Sequence, residues 1–297
     1  MRNKFARGLT GKQISARTLL HRVPQKLASM GQFLIISGML YAFPVSTSAA
    51  FSIDTTSTHI TGLFWNPAES GWGVGLNQQS DIIFVTLFTY DENNQPKWYV
   101  VSNCAVATDS CSGRLFEVSS GSALTDPWDG SNKVTTDVGM LTLQFEDENS
   151  VSVTGILKGE NVAKSLERQL FETVTPDAPM NALIWNESES GWGATLTQQQ
   201  DITFVLIYTY DANGFPVWYV ASNCAVSGES CSGILYSVTG GTSVTTAWNG
   251  SNKSIVQVGQ VTVTLHTDDT GTLVFDIDGI PGNKAIARQV WAMDADR

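Results

Sequence analysis

The sequence predicts an all-β protein built from two tandem eight-stranded antiparallel up-and-down β-barrels. Three observations support this fold class: the chain repeats itself at an offset of 120 residues, apolar and polar residues alternate within each copy, and turn sequences separate the alternating runs. A period of two is typical of half-buried strands. Eight such strands in a meander close most simply into a barrel, which removes exposed sheet edges. A pair of β-sandwiches is the alternative.

The internal repeat defines the domain organisation. Residues 62–171 align with residues 182–291 without a gap, and the clearest match is WNPAESGWG against WNESESGWG. Each copy spans about 110 residues, which is long enough to bury its own core. The predicted organisation is a signal peptide at 1–50, an N-terminal extension at 51–61, repeat 1 at 62–171, a linker at 172–181 and repeat 2 at 182–297.

Alternation and turn signals place the strands within each copy. In GMLTLQFED, Leu141, Leu143 and Phe145 share one face, and DENNQP and DANGFP are typical turns. The strand at 81–90 is apolar on both faces, so its outer face is expected to pack against the other repeat or a partner molecule. The strands of repeat 1 are expected near 62–65, 71–79, 81–90, 96–104, 112–119, 138–146, 150–158 and 164–171.

The first fifty residues predict export. They contain seven Lys or Arg and no Asp or Glu, followed by the apolar run FLIISGMLYAFPV and the small residues STSAA. This order predicts a secretory signal peptide cleaved near Ala49 or Ala50. The 13-residue apolar run is shorter than the roughly 20 residues that span a bilayer, although an uncleaved anchor is the alternative.

The net charge of the mature chain argues against two classes of binding partner. Cleavage leaves 10 basic and 28 acidic residues, a net charge of about −18. Such a surface repels phosphate backbones and anionic headgroups, so neither nucleic-acid binding nor membrane insertion of the mature chain is expected.

The four cysteines form two matched pairs, Cys104 with Cys111 and Cys224 with Cys231. In an exported chain, an even count with equal spacing predicts two disulfide bonds. Zinc is disfavoured because the chain has no C-x-x-C motif or neighbouring histidine. No metal and no cofactor are predicted.

Tryptophans and polar residues shared by the two copies are the candidate ligand contacts. Strand glycines in ESGWG permit close approach of a ligand, and a tryptophan in the polar loops 126–133 and 246–253 suits stacking on a sugar or another flat molecule. Packing of these rings into the barrel core, or over its mouth, is the structural alternative. The predicted contacts are Trp65, Asn66, Ser70, Trp72 and Trp128 in repeat 1, and Trp185, Asn186, Ser190, Trp192 and Trp248 in repeat 2.

A structural ion pair is predicted between the first and last strands of each barrel. Arg168 is in register with Leu166, and a buried arginine needs an anion nearby. Glu69 is the shared acid nearest to a strand end, so the pairs Glu69–Arg168 and Glu189–Arg288 are expected. No histidine pairs with Ser70 to activate it, so an enzyme is not expected.

The repeat units resemble a known family. W-N-x-x-E-S-G-W-G, then Q-Q-x-D, TYD, P-x-W and a terminal [AS]-x-x-R-Q resemble uncharacterised exported proteobacterial proteins. That resemblance covers nearly all of the mature chain and implies a secreted, periplasmic or cell-surface protein of a Gram-negative bacterium, without an established activity. GLFWNPAES is also similar to the opening strand of avidin barrels, where Asn66 and Ser70 would lie near a ligand. The later tryptophans do not match, so this likeness implies architecture and not biotin binding.

Together these features predict a secreted, non-enzymatic binding protein with a small-molecule or carbohydrate site at the mouth of each barrel. One alternative is a structural or adhesive surface protein that self-associates through the apolar strand 81–91 and its repeat. Another is a glycoside hydrolase that uses Glu69 and Asp91 as its two carboxylates.

Overall fold

The computed structural model describes residues 50–291 and contains two closed antiparallel barrels of eight strands each. The predicted fold class is confirmed, in place of the sandwich alternative. The predicted signal peptide lies outside the described residues except for its last position. The strands of repeat 1 are β1 (Gly62–Trp65), β2 (Gly73–Gln79), β3 (Ile82–Tyr90), β4 (Pro96–Ala107), β5 (Ser110–Ser119), β6 (Val134–Asp147), β7 (Ser150–Leu157) and β8 (Glu160–Arg168). Those of repeat 2 are β9 (Ala182–Trp185), β10 (Gly193–Gln199), β11 (Ile202–Tyr210), β12 (Pro216–Ser227), β13 (Ser230–Thr239), β14 (Ser254–Leu265), β15 (Thr270–Ile277) and β16 (Ile280–Arg288).

Each barrel closes between its first and last strands. In repeat 1 the closing pair is β1 with β8, where Phe64 lies opposite Arg168. In repeat 2, β9 pairs with β16 and Ile184 lies opposite Arg288. The short first strand also pairs with its neighbour β2 or β10 along its whole length, so its last two residues pair with strands on both sides.

The core follows the predicted alternation. Leu141, Leu143 and Phe145 are buried inside barrel 1, and Phe145 meets Phe64 edge to face with ring centroids 6.4 Å apart. The main departure from the predicted strand bounds is β6, which begins at Val134 because it pairs with the end of β5 at Ser119.

Both predicted disulfides form. Cys104 bonds to Cys111 and Cys224 to Cys231, with Cα atoms 5.1 and 5.2 Å apart. Each bridge joins the two strands of one hairpin, β4–β5 or β12–β13. All four sulfur atoms are buried, so the bridges belong to the barrel cores.

The two barrels pack against each other through the outer faces of β3, β4, β11 and β12. The Trp98 indole nitrogen donates to the carbonyl of Thr209 at 3.0 Å, and its ring lies 5.1 Å from that of Tyr208. Reciprocally, the Trp218 nitrogen donates to the carbonyl of Thr89 at 3.4 Å. The expectation that the outer face of the apolar strand packs against the other repeat is confirmed. Such mutual contacts are typical of an isologous dimer, here within a single chain.

The interface generates a stability prediction. Replacing Trp98 by alanine should lower the free energy of unfolding by about 3–5 kcal/mol, because it removes a buried ring and the donor to the Thr209 carbonyl. Urea denaturation of both variants measures the effect. The control Trp128→Ala removes a tryptophan that is 40% exposed and should cost far less. Equal losses for the two variants would contradict this account of the interface.

Candidate functional site

The motif WNPAESGWG forms a tight connection from β1 to β2. Asn66 accepts a hydrogen bond from the backbone nitrogen of Ala68 at 2.9 Å and so caps a 3-10 helix at Pro67–Glu69. Gly71 has a φ of 115°, which favours glycine. Asn186 accepts the equivalent hydrogen bond from the backbone nitrogen of Ser188, where the chain forms a turn in place of the 3-10 helix. Asn66 and Asn186, which are both predicted ligand contacts, therefore each have a local structural role.

Glu69 lies at the barrel mouth between a lysine and a tryptophan. Lys164 donates to Glu69 Oε2 at 2.7 Å, and the Trp72 indole nitrogen donates to the same oxygen at 3.2 Å. The Lys164 ammonium also lies 5.6 Å from the centre of the Trp72 ring system, a favourable cation–π distance. These contacts hold the Trp72 ring in one orientation at the mouth.

The predicted Glu69–Arg168 pair is wrong. β1 and β8 are antiparallel, so the residue that follows the end of β1 lies beside an earlier part of β8. Lys164 precedes Arg168 by four positions on the same strand face, roughly 13 Å along the strand. The arginine was correctly expected to face inward, but its assigned partner lies at the other end of the barrel.

Arg168 is satisfied by backbone carbonyls instead. Its guanidinium donates to the carbonyl oxygens of Thr61, His59 and Glu148 at 2.6–2.8 Å, and the side chain covers the Phe64 ring at 4.7 Å. Burial lowers the pKa of Arg168 to about 10, although the carboxylates of Glu148 and Asp147 favour its charged form. Arg168 therefore ties the strand ends together at the end of the barrel opposite Glu69.

In repeat 2 the predicted Glu189–Arg288 pair is wrong for the same reason. Glu189 pairs with Lys284 at 2.9 Å and accepts a hydrogen bond from the Trp192 indole nitrogen at 3.2 Å. Arg288 lies at the other end, where it pairs with Asp269 at 3.0 Å and donates to the carbonyl of Asn181. Both barrels thus place a Glu–Lys–Trp group at one end and an arginine at the other.

The loop 246–253 of repeat 2 reaches across to the motif of repeat 1. The Trp248 indole nitrogen donates to the carbonyl of Ser70 at 3.3 Å, and Lys253 donates to the Ser70 hydroxyl at 2.7 Å. The loop of repeat 1 does the same at the motif of repeat 2, where Trp128 and Lys133 donate to Ser190 at 3.3 and 2.6 Å. Each motif therefore meets the loop of the other repeat.

This exchange corrects the predicted composition of the sites. Trp128 was expected beside Ser70 and Trp72 in the mouth of its own barrel, and Trp248 beside Ser190. The structure places Trp248 at the motif of repeat 1 (residues 65–73, here called motif 1) and Trp128 at that of repeat 2 (residues 185–193, motif 2). The loops cross over because the barrels pack against each other through β3, β4, β11 and β12, which brings the loop of each repeat to the motif of the other.

Two glycines and a tyrosine fix the crossing loop at motif 1. The Tyr90 hydroxyl donates to the carbonyl of Gly71 at 2.8 Å, and a Cβ atom on Gly241 would lie 2.0 Å from the Tyr90 ring. The amide of Asn94 donates to the carbonyl of Gly241 at 2.7 Å. Only glycine fits at position 241 without displacing that ring.

The tryptophans at the tips of these loops remain partly open. Trp128 and Trp248 are 40% and 39% exposed. A Cβ atom on Gly130 or Gly250 would lie 2.4–2.5 Å from the adjacent indole, so each ring packs closely against the glycine of its own loop. Each indole is therefore held by its loop and remains partly open to solvent.

A cavity of about 230 Å³ lies beside motif 1. Trp65, Gly71, Trp72, Phe88, Trp218 and Lys253 are among its lining residues. Its walls are mainly aromatic and aliphatic, and the ammonium of Lys253 supplies a positive charge. At motif 2, Tyr208 takes the place of Phe88, and a Cβ atom on Gly193 would lie 2.5 Å from the Tyr208 hydroxyl. That hydroxyl occupies the space over Gly193 that Phe88 leaves free over Gly73.

Apart from the capping residues Asn66 and Asn186, the predicted site residues divide into three groups. Trp65 and Trp72 line the cavity. Ser70 and Trp248 lie beside it, and Trp185, Ser190 and Trp192 lie at motif 2, where Trp128 contacts Ser190. The predicted contacts did not include Lys164 and Lys253 or their counterparts Lys284 and Lys133. The repeat itself carried that signal, because both lysines are present in both copies.

Comparisons with protein-family models, with curated proteins and with solved structures found no match. Between residues 50 and 291, no helix has the length and apolar character needed to cross a membrane. Within the same range, no three His, Cys, Asp or Glu side chains come together as a metal site. The proposals below therefore depend on the geometry of the chain itself.

The corrected ion pair generates a test by double-mutant cycle. Glu69→Gln combined with Lys164→Met should show a coupling energy of about 1 kcal/mol, because the two side chains contact each other. Glu69→Gln combined with Arg168→Met should be additive, and Arg168→Met alone should cost about 3 kcal/mol or more because it leaves several carbonyls without donors. Urea denaturation provides all of these energies. A strong coupling energy between Glu69 and Arg168 would contradict this account and support the ion pair predicted from the sequence.

Proposed function

We propose that the chain is a secreted, non-enzymatic binding protein that takes a small ligand with a flat apolar face at motif 1. The observation that carries the proposal is the convergence of Trp65, Trp72 and Lys253 on one cavity of about 230 Å³. This volume is below the roughly 300–1,000 Å³ of sites for drug-sized ligands, so it suits a single ring system or a short apolar group.

Lys253 favours a ligand that also carries a negative charge or an acceptor. An ammonium has three donors, and one of them engages the Ser70 hydroxyl at 2.7 Å. A carboxylate at the cavity rim would accept from another, while its ring packs on the indoles. Trp248, half open beside the rim, adds a surface on which a larger ligand such as a glycoside would stack.

Binding is a better account of this site than glycoside hydrolysis. Glu69 is held by Lys164 and Trp72. Asp91 accepts hydrogen bonds from the backbone nitrogens of Asn93 and Gln95 within a turn. Both carboxylates thus have structural partners.

The alternative of an adhesive surface protein is weakened, because the strand proposed for self-association is buried between the barrels. The strand 81–91 was expected to be available for self-association, yet Phe84 and Phe88 are 7% and 2% exposed. Phe88 contacts Tyr208 and Trp218 of repeat 2. An assembly of this protein would therefore need a different surface.

Export is part of the proposal. Two disulfide bonds fit an extracellular or periplasmic location, where such bonds persist. The basic and apolar N-terminal sequence favours removal of residues 1–50 during secretion. The family resemblance favours the periplasm or surface of a Gram-negative bacterium.

Calorimetric titration with benzoate, indole-3-acetate and methyl glucoside tests the site. At least one of these probes should bind, and Phe88→Tyr should weaken its binding at least tenfold because the added hydroxyl fills the space over Gly73. Phe88→Tyr copies the residue of repeat 2, so the interface should tolerate it. Trp248→Ala should also weaken binding.

Trp128→Ala is the matched control, since it makes the same change at motif 2 and should leave binding at motif 1 unaltered. The proposal fails if none of the three probes binds. It also fails if a probe binds the wild type and Phe88→Tyr with equal affinity.

A further inference from the structure

The β13–β14 hairpin of repeat 2 continues beyond the point at which β15 joins the sheet. β13 pairs with β14 as far as Ser254, whereas β15 pairs with it only from Gly259 onward. Residues 254–257, here named the free edge, therefore have a strand partner on one side and, within the described part of the chain, none on the other. Ile255 and Val256 are 59% and 50% exposed. Such an edge presents backbone donors and acceptors with which another strand can pair.

The free edge also ends one wall of the cavity beside motif 1. Four residues from the successive strands β11 to β14 form this wall: Leu206, Val220, Val238 and Ile255. Lys253, two positions before Ile255, lines the cavity as well. A further strand beside the free edge would extend the wall, and its alternate side chains would lie at the mouth of the cavity.

The equivalent edge of repeat 1 has a different chemistry. Residues 134–137 pair with β5, and β7 joins β6 only at Gly139, but they read VTTD where the free edge reads SIVQ. Asp137 places a charge on this edge and accepts a hydrogen bond from Arg114 Nε at 2.7 Å. Charged residues on an edge strand oppose its pairing with other chains. Of the two edges, that of repeat 2 is therefore the one that combines an apolar sequence with an open cavity.

From these observations we infer that the free edge binds an extended peptide, which pairs with β14 as an additional antiparallel strand. The inference rests on the proposed function, because the peptide places one aromatic side chain in the same cavity beside motif 1. Main-chain hydrogen bonds provide affinity in this mode of recognition, and a pocket for one of the alternate side chains provides specificity. The volume of about 230 Å³ suits one such ring.

Lys253 determines which end of the peptide binds. It immediately precedes the free edge and lines the cavity. Antiparallel pairing is the commoner arrangement, and it brings the carboxyl end of the peptide to the beginning of β14. The ammonium of Lys253 there complements a free terminal carboxylate, whereas β15 occupies the edge at the other end, from Gly259. The ligand is therefore the C-terminal segment of a peptide, with an aromatic residue close to its carboxylate.

A peptide library tests the inference. Its members are acetylated pentapeptides with a free carboxyl terminus, an aromatic residue at one of the last two positions and random residues elsewhere. The wild type should select binders, and calorimetry should show one site per chain. Amidation of the terminus of a selected peptide should weaken binding at least tenfold. N-methylation should weaken it at least tenfold at alternate residues only, because every second backbone N–H of a strand faces its neighbour on one side.

The matching protein variant gives the free edge the sequence of repeat 1, through Ile255→Thr, Val256→Thr and Gln257→Asp. These positions are exposed, so urea denaturation should give the wild-type stability while peptide affinity falls at least tenfold. Val274→Thr is the control, since it changes an exposed apolar residue of a strand that is paired on both sides, and it should leave the affinity unchanged. Phe88→Tyr should weaken the peptide as it weakens the small probes.

A library without binders would overturn the inference, as would equal affinity of a selected peptide for the wild type and the exchanged edge. Binding that ignores Phe88→Tyr would also contradict it, because the aromatic side chain would then lie elsewhere. If benzoate or indole-3-acetate binds and no peptide does, the proposed function stands and this inference alone fails. Self-association of the wild type in sedimentation, lost with the exchanged edge and without a selected peptide, would assign the free edge to a second copy of the chain.

Discussion

The packing of the two barrels through the outer faces of β3, β4, β11 and β12 is the constraint on which the rest of the structure depends. A barrel wall needs to bury only its inner face, yet these strands are apolar on both. Trp98 and Trp218 are 1% and 4% exposed, and each donates to a strand carbonyl of the other barrel. Burial of these rings stabilises the packing of the two barrels against each other. A single repeat on its own would leave this apolar face exposed.

The position of the loops and the identity of the site follow from that packing. Because the barrels face each other, the loop of one repeat covers the motif of the other, and Ser70 meets Trp248 and Lys253 in place of Trp128 and Lys133. The motif shared by the repeats is thus both a connection between strands and a docking point. Its asparagine, glutamate and glycine shape the connection, while its tryptophans face the cavity.

Small differences between the repeats decide where the interface between the barrels keeps open space. Tyr208 differs from Phe88 by one hydroxyl group. That hydroxyl fills the space over Gly193, whereas the corresponding space over Gly73 is open. Asn77 of repeat 1 corresponds to Thr197 of repeat 2, and both are buried at 3% exposure with side-chain polar atoms that have no partner among the described residues. Duplication therefore supplied two equal frameworks, and single substitutions gave each region of the interface a different chemistry.

The sequence by itself determined the barrels, their strands and both disulfides, because a two-residue period and a matched cysteine spacing are local signals. It also determined that Arg168 faces inward with Leu166, since alternate residues share a strand face. The tertiary structure alone decided the partners. Glu69 meets Lys164 because β1 and β8 are antiparallel, and Trp248 meets Ser70 because the loops cross between barrels. Contacts between residues 95 or 178 positions apart depend on strand direction and on how the barrels pack against each other. The local alternation of apolar and polar residues specifies neither.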